Sequence, residues 1–306
     1  MLNEFMEYDK INGKVAFQEG PHRYFNIDDE SIIYTSVTTL IGKYEPEFDS
    51  EFTSKYKALE KLLPSDVWKK EKGGLWKSHK IPKDFLEVYN ISDSELNKVQ
   101  QEILDEWSKI NKESCERGTK IHAQLENSFY KAGSNITLKK FGIGGKFECK
   151  KDYNELDMEY GIYPEYLIYY DNPKLGLHIA GQIDLLIKSG NDIYIADHKT
   201  NKKIDLKGFY NSSTRSTEKL KYPLGTLDNC NFNVYQLQLS TYAWMLQKIN
   251  PNFVIKDLIL NHYDHDGNNT LYPCSYLKDD VEKMLKHFAR QQKLELQKKK
   301  YERIEY

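Results

Sequence analysis

One stretch restricts the fold of this chain more than any other. Leu177–Lys188 and Ile193–Lys199 are rich in Ile and Leu, and the quartet Ser189-Gly190-Asn191-Asp192 between them is turn-like. Aliphatic runs on either side of such a quartet read as the two antiparallel strands of a hairpin. If the quartet is a symmetric loop, Asp184 and Asp197 stand opposite each other, with Cβ atoms about 4.5–5.5 Å apart. Lys199, two residues past Asp197, points to the same face. Two carboxylates that close repel unless positive charge lies between them. A hard divalent cation answers this, since Mg²⁺ takes carboxylate oxygens at about 2.0–2.1 Å and keeps several waters. Lys199 would then orient or help deprotonate a metal-bound water, or steady a phosphate charge. The backbone carbonyl of His198 offers a further ligand. The plain alternative is an exposed hairpin with ordinary surface charges.

The rest of the chain supplies helices and more strands. Lys14–Gln18, His22–Ile27 and Ser31–Thr35 read as short strands separated by turn signals, with helices from Ser36 and over Ser50 to Leu62. Pro64 and Gly73-Gly74 punctuate a basic segment. A long helix is expected from Ser94, as N-cap, to Tyr130, because Leu96, Val99, Ile103, Trp107 and Ile110 recur at helical spacing. A Gly-rich stretch (Gly142, Gly144, Gly145) follows, then a strand over Tyr163–Tyr170. Residues 201–232 read as a long polar loop. Val234–Ile249 reads as a helix stopped by Asn250-Pro251, Val254–His262 as a strand, and residues 277–303 as a basic amphipathic helix. This order implies an α/β or α+β class with a mixed sheet.

Composition excludes several classes. The 306 residues are 39% hydrophobic and 29% charged, enough for a packed core. No apolar run approaches the roughly 18 residues of a membrane span. The first ten residues carry acids and no basic n-region, against a secretory signal. The four cysteines (Cys115, Cys149, Cys230, Cys274) form no CxxC pair, which argues against a zinc ribbon and for reduced, cytoplasmic thiols. The net charge of −2 conceals local asymmetry: residues 51–83 hold nine lysines against four acids, and residues 283–303 hold eight Lys/Arg against two acids. The first segment also contains Trp68 and Trp76. Rings interleaved with lysines suit single-stranded nucleic acid, although solvated helix faces and tryptophans packed onto the main domain explain the same pattern.

Three further patterns bear on chemistry. In Gly118-Thr-Lys-Ile-His122-Ala-Gln-Leu-Glu126, four-residue spacing places Gly118, His122 and Glu126 on one helix face. His122 is a candidate metal ligand or, more plainly, a core histidine paired with Glu126. Gln238 and Tyr242 share a helix face and suit phosphate or a catalytic side chain as partners. Glu165 is a candidate extra carboxylate or an edge charge.

Taken in order, GxxxH, E, GxxD, DxK and QxxxY resemble the motif series of the RecB-like branch of the PD-(D/E)XK nuclease superfamily. Ser36-Val37-Thr38, after His22-Arg23-Tyr24, resembles the N-terminal region of its phage and mitochondrial genome-maintenance members. The resemblance implies a restriction-endonuclease-like α/β core, a central mixed β-sheet flanked by helices, with an N-terminal β/helical extension. It implies Mg²⁺- or Mn²⁺-dependent hydrolysis of DNA, as an exonuclease in replication, recombination or repair. His122, Asp184 and Asp197 match the metal ligands, Lys199 the catalytic lysine, Gln238 and Tyr242 the accessory motif, and Glu165 the upstream acid. Ile183 stands where the superfamily name has proline, and Asp197 where it allows Glu; both departures are common in this branch. The cysteines of the iron–sulfur subgroup have no clear counterparts, so no cluster is expected.

On this reading the whole chain is one nuclease domain. Residues 1–93 hold the N-terminal strands and basic segment, 94–275 the catalytic core and 276–306 the terminal basic helix. Its partner is DNA, single-stranded or with free ends, contacted by Trp68, Lys69, Lys70, Trp76, Lys202, Lys203 and Arg215. The competing readings are a DNA-binding or assembly module with a degenerate nuclease fold, and a phosphodiesterase for small molecules. Oligomeric state stays open.

Overall fold

A computed structural model describes residues 9–150, 160–211 and 215–302. The secretory-signal reading of the first eight residues and the end of the basic helix at Arg303 lie outside the described residues. The chain forms two compact units, one of Met1–Pro46, Lys120–Tyr210 and Thr217–Tyr306, the other of Glu47–Thr119 and Asn211–Ser216.

The first unit is built on a mixed sheet of nine strands. Strands β1 (Lys10–Asn12), β2 (Val15–Gln18), β3 (Arg23–Asn26) and β4 (Ile33–Ser36) pair antiparallel in sequence order. Ser36 then caps the short helix α1 (Val37–Gly42), its hydroxyl accepting from the Thr39 N–H at 3.0 Å. Helices α2 (Ser50–Leu62), α3 (Ser65–Ser78), α4 (Phe85–Val88) and the first part of α5 (Asp93–Ala132) make the second unit. Next come β5 (Ile136–Leu138), a 3₁₀ turn at Lys139–Phe141, and β6 (Ile143–Phe147). The long strands β7 (Gly161–Asn172), β8 (Leu177–Ser189) and β9 (Asp192–Lys199) follow. The two-residue strands β10 (Tyr210–Asn211) and β11 (Ser216–Thr217) precede helix α6 (Asn231–Ile249). Strands β12 (Val254–Tyr263) and β13 (Asn269–Cys274) and helix α7 (Lys278–Glu302) complete the chain.

The expected architecture, a central mixed sheet with helices against it, is the one observed. On one face α1, α6 and α7 bury Leu40, Leu237, Met245, Met284 and Phe288 against Ile179, Ile195 and Leu260. On the other, Phe129 of α5 and the β5–β6 hairpin pack on Ile162, Leu185, Ile187 and Ala196. The strand runs are continuous apolar stretches because both faces are covered.

Strand β8 is the hinge of the topology. Along one edge it pairs with β7 over nearly its full length. Its other edge is divided: β4 lies parallel to it at Ile179 and Ala180, and β9 antiparallel from Leu185 to Ser189. Residues 181–184 fall in the fork between the two. In the same place the inside–outside alternation changes phase. Ile179 and Ile183 face the α6 side, but beyond Asp184 that side is taken by Leu186, while Leu185 and Ile187 turn to the other core. Strand β7 does the same: Tyr163 and then Tyr166 and Ile168 face α6, and Glu165 between them takes a left-handed φ of +50°. Each strand carries one extra residue, and the two face each other, so the ladder keeps its register on both sides.

Local readings need correction in four places. Helix α3 runs through Gly73-Gly74, which therefore mark no break. Helix α5 starts at Asp93, and its cap is Ser92 rather than Ser94: the Glu95 N–H donates to the Ser92 hydroxyl and the Ser92 N–H to the Glu95 carboxylate, at 3.2 and 3.0 Å. The Gly-rich stretch after α5 contains β5 and β6, and β13 also went unread. No helix among the described residues is long and apolar enough to cross a membrane.

Candidate metal centre and active site

The row that crosses the fork carries three acids. Glu165 of β7 stands opposite Asp184 of β8. The β8–β9 ladder runs to Leu185↔Ala196, one step short of Asp184 and Asp197, so these two occupy the next row of the hairpin, as the symmetric loop predicts. Instead of the next ladder bond, the His198 N–H donates to Asp184 Oδ2 at 2.6 Å. His122 arrives from α5. Its Nδ1 lies 3.5 Å from Glu165 Oε1 and 3.6 Å from Asp184 Oδ2, and its Nε2–H donates to the His198 carbonyl at 2.9 Å. Ligand-capable atoms of His122, Glu165 and Asp184 all lie within 4.8 Å of one another.

Beside this trio sits a second cluster from β9 and α6. Lys199 Nζ is 2.7 Å from Asp197 Oδ2 and donates to Gln238 Oε1 at 3.2 Å. Gln238 Nε2 donates to Asp197 Oδ1 at 3.1 Å and to the Tyr242 hydroxyl at 3.3 Å. The Tyr235 ring lies beneath Lys199, with Nζ 4.6 Å from its centroid. Tyr235, Gln238 and Tyr242 recur at three and four residues, which puts all three on one face of α6. Gly181 explains the GxxD spacing: a Cβ there would lie 2.8 Å from Tyr242 Cε1 and 2.9 Å from its hydroxyl. Only glycine lets α6 seat its tyrosine in the fork.

The electrostatics follow from crowding acids out of water. Burial, and then the Asp197 charge, push the Asp184 carboxyl up to about 8. Burial works against a charged His122, but the Asp184 and Glu165 carboxylates overcome it and hold the imidazole up at about 9. Lys199 is partly buried, which works against its charge, and Asp197 and then Asp184 keep it charged. His198 is the opposite case: burial lowers it to about 3, so it is neutral, and its Nδ1 accepts from the Asn261 side chain at 2.9 Å. With the His198 carbonyl holding the Nε2–H of His122, Nδ1 is the nitrogen that faces the carboxylates; its proton pairs with them, and a cation bound there would take that proton's place. One imidazole nitrogen and two carboxylates, too close for their own charge, are a donor set that fits a divalent cation.

The residues singled out in the sequence do not all meet. His122, Glu165, Asp184, Asp197, His198, Lys199, Gln238 and Tyr242 come together. Within that group two sets of contacts stand side by side. Glu165 is one of the three residues whose ligand-capable atoms converge. Asp197 has both oxygens engaged by Lys199 and Gln238, and the His198 carbonyl serves His122. Glu126 is engaged by Lys10 at 3.5 Å and by the Tyr130 hydroxyl, so it is not the partner of His122. Sequence reasoning missed Tyr235, which the helical spacing of α6 signals, and Asn261, which nothing local signals.

Trp68, Lys69, Lys70, Trp76 and Arg215 belong to the second unit. Trp68 needs correction as a base-stacking surface: it is 7% exposed, its Nε1–H donates to Glu60 at 3.2 Å, and it packs among Leu59, Leu75 and Phe85. Trp76 is 39% exposed and meets the Tyr56 ring with centroids 5.1 Å apart. Lys69, Lys70, Lys202, Lys203 and Arg215 are exposed, Lys203 with Asp205 at 2.7 Å.

No known family profile matches the chain. No curated protein matches it either. Among solved structures, a "Putative exonuclease" from Eubacterium rectale is similar over 83% of this chain and 77% of its own, at 10% identity and a TM-score of 0.29, too remote a likeness to carry an argument.

Proposed function

We propose that this chain is a divalent-metal-dependent nuclease that hydrolyses phosphodiester bonds of DNA. The reading rests on one observation: residues far apart in sequence, on α5, β7, β8, β9 and α6, converge as a candidate ligand trio beside a partly buried lysine paired with Asp197. The motif order of the RecB-like branch supports the same reading, with a restriction-endonuclease-like core and exonuclease action on single strands or free ends in replication, recombination or repair.

His122 Nδ1, Glu165 and Asp184 would hold Mg²⁺ or Mn²⁺. When bound, such an ion polarises the scissile phosphate and lowers the pKa of water. His198 fixes the ring of His122 through its carbonyl, and Asn261 fixes His198. Asp197 keeps the Lys199 ammonium charged and directed. Lys199 holds the attacking water or a non-bridging phosphate oxygen and donates a hydrogen bond to it. Gln238 restrains both partners of that ion pair. Tyr242 closes the fork over Gly181 and excludes water from the back of the site.

The test is digestion of end-labelled single- and double-stranded DNA with Mg²⁺ or Mn²⁺, wild type against Asp184→Asn and Lys199→Ala. Metal-dependent release of labelled product by wild type alone is expected. Equal hydrolysis by all three proteins, or none by wild type with either ion, overturns the assignment.

A further inference from the structure

Next to Lys199 the first unit opens a cleft of about 700 Å³, within the size range of small-ligand sites. Tyr235, whose ring lies under the Lys199 ammonium, also lines this cleft, so the two spaces adjoin. The other lining groups include Phe209, Lys203, Lys207, Asn229 and Glu45. Phe209 is 63% exposed. The segment that carries it is held in place. The Asn231 side chain accepts from the Asp205 N–H at 2.7 Å and donates to the Lys203 carbonyl at 2.9 Å. The Gly208 backbone lies so close to the Glu218 carbonyl that no Cβ fits. The exposed ring and lysines therefore sit on a fixed backbone.

Resting on the nuclease reading above, we propose that this cleft receives an unpaired nucleotide of the DNA strand next to the scissile phosphate. Its base stacks on Phe209 and its phosphate lies between Lys203 and Lys207. An exposed ring flanked by lysines is the chemistry that holds single strands without regard to sequence, since every base has a π-face. In duplex DNA the same face is covered by its neighbours, so the cleft selects unpaired ends. Glu45 and Asn229 offer partners to the base edge, and Asp205, already paired with Lys203, sets where that ammonium points.

The test measures binding apart from cleavage. In a Lys199→Ala background, anisotropy of a fluorescent oligo-dT is titrated for the parent, Phe209→Ala, Phe209→Trp and the double variant Lys203→Gln/Lys207→Gln. The Phe209→Ala variant is expected to weaken single-strand binding at least about fivefold, with Phe209→Trp restoring it. The double variant is expected to flatten the log–log salt slope by about 0.7, the share of one single-strand phosphate. Duplex affinity is expected to stay within about twofold of the parent throughout. Unchanged oligo-dT affinity in Phe209→Ala, or an equal loss for duplex, overturns the proposal. If wild type cleaves nothing yet these binding effects appear, the nuclease reading fails and the cleft stands. If wild type cleaves and they are absent, the cleft fails alone.

Discussion

The two compact units answer the same kind of sequence signal in opposite ways. Both contain polar or aromatic residues at suggestive spacing. In the sheet unit, His122, Glu165, Asp184 and Asp197 are drawn together and largely removed from water, although nothing about folding alone rewards crowded carboxylates. In the helical unit, Tyr56, Trp68 and Trp76 gather with Phe52 and Phe85, and the lysines between them stay in solvent. Aromatic rings have an apolar reason to meet, so their clustering carries no functional information. Acids have none, so theirs does.

The largest expected effect lies in the sheet unit. Lys199→Ala should lower the hydrolysis rate of the folded protein by about 10²–10⁴-fold, the usual range for a positioned proton-handling group, beyond the stability lost by leaving the buried Asp197 carboxylate without its counter-charge. A variant that loses rate only because it unfolds would break the contrast. The helical unit should respond the other way. Trp68→Ala removes a buried indole and should cost about 3–5 kcal/mol in denaturant unfolding, while any folded fraction keeps its specific activity. Loss of activity at full stability would move Trp68 back among the functional residues.

Metal should stabilise the sheet unit by about 2.7 kcal/mol at a hundredfold excess over Kd. The pH dependence has a definite sign. Burial and the Asp197 charge raise Asp184 to about 8, so the stability that comes with its proton is complete below the ordinary carboxylate range and is lost as pH rises through about 8. His122, held at about 9, loses its share as pH passes that value. A cation replaces the missing protons, so Mn²⁺ should raise the melting temperature more at pH 8.5 than at pH 6. An equal shift at both would argue against displacement of protons from this cluster.

Gly181→Ala should cost about 1–3 kcal/mol, the range for overpacking, because its methyl meets the Tyr242 ring. Activity should fall with it as α6 is pushed from the fork. The smallest effect belongs to the surface of the helical unit. Lys69→Gln with Lys70→Gln should change stability by no more than about 0.5 kcal/mol, leaving DNA affinity at low salt as the only readout.

How much the sequence discloses follows from the same contrast. The hairpin centred on residues 189–192 was legible because a turn quartet between aliphatic runs permits few registers, and Leu185 does face Ala196. That Gln238 and Tyr242 share one face of α6 was legible because helical spacing is fixed. The conformation of Glu165 was not, since its left-handed φ arises from a sheet irregularity shared with a strand some twenty residues on. The burial of Trp68 depends on which of two faces a basic helix turns inward, and the lysines around it do not decide that. Gly73-Gly74 misled because glycine weakens a helix without forbidding it, and packing of Trp68 and Leu75 outweighs the roughly 1 kcal/mol cost of each.

The matched irregularities of β7 and β8 bear on how such a chain can change over generations. Deleting Glu165 alone, or Asp184 alone, would leave one strand regular and the other with one residue too many, an ordinary one-sided bulge, and every apolar residue would keep its present side. Deleting both would leave two regular strands with every apolar residue on its present side. Each such shortening removes at least one ligand while sparing the core, so the inherited shape of this hairpin can outlast its chemistry.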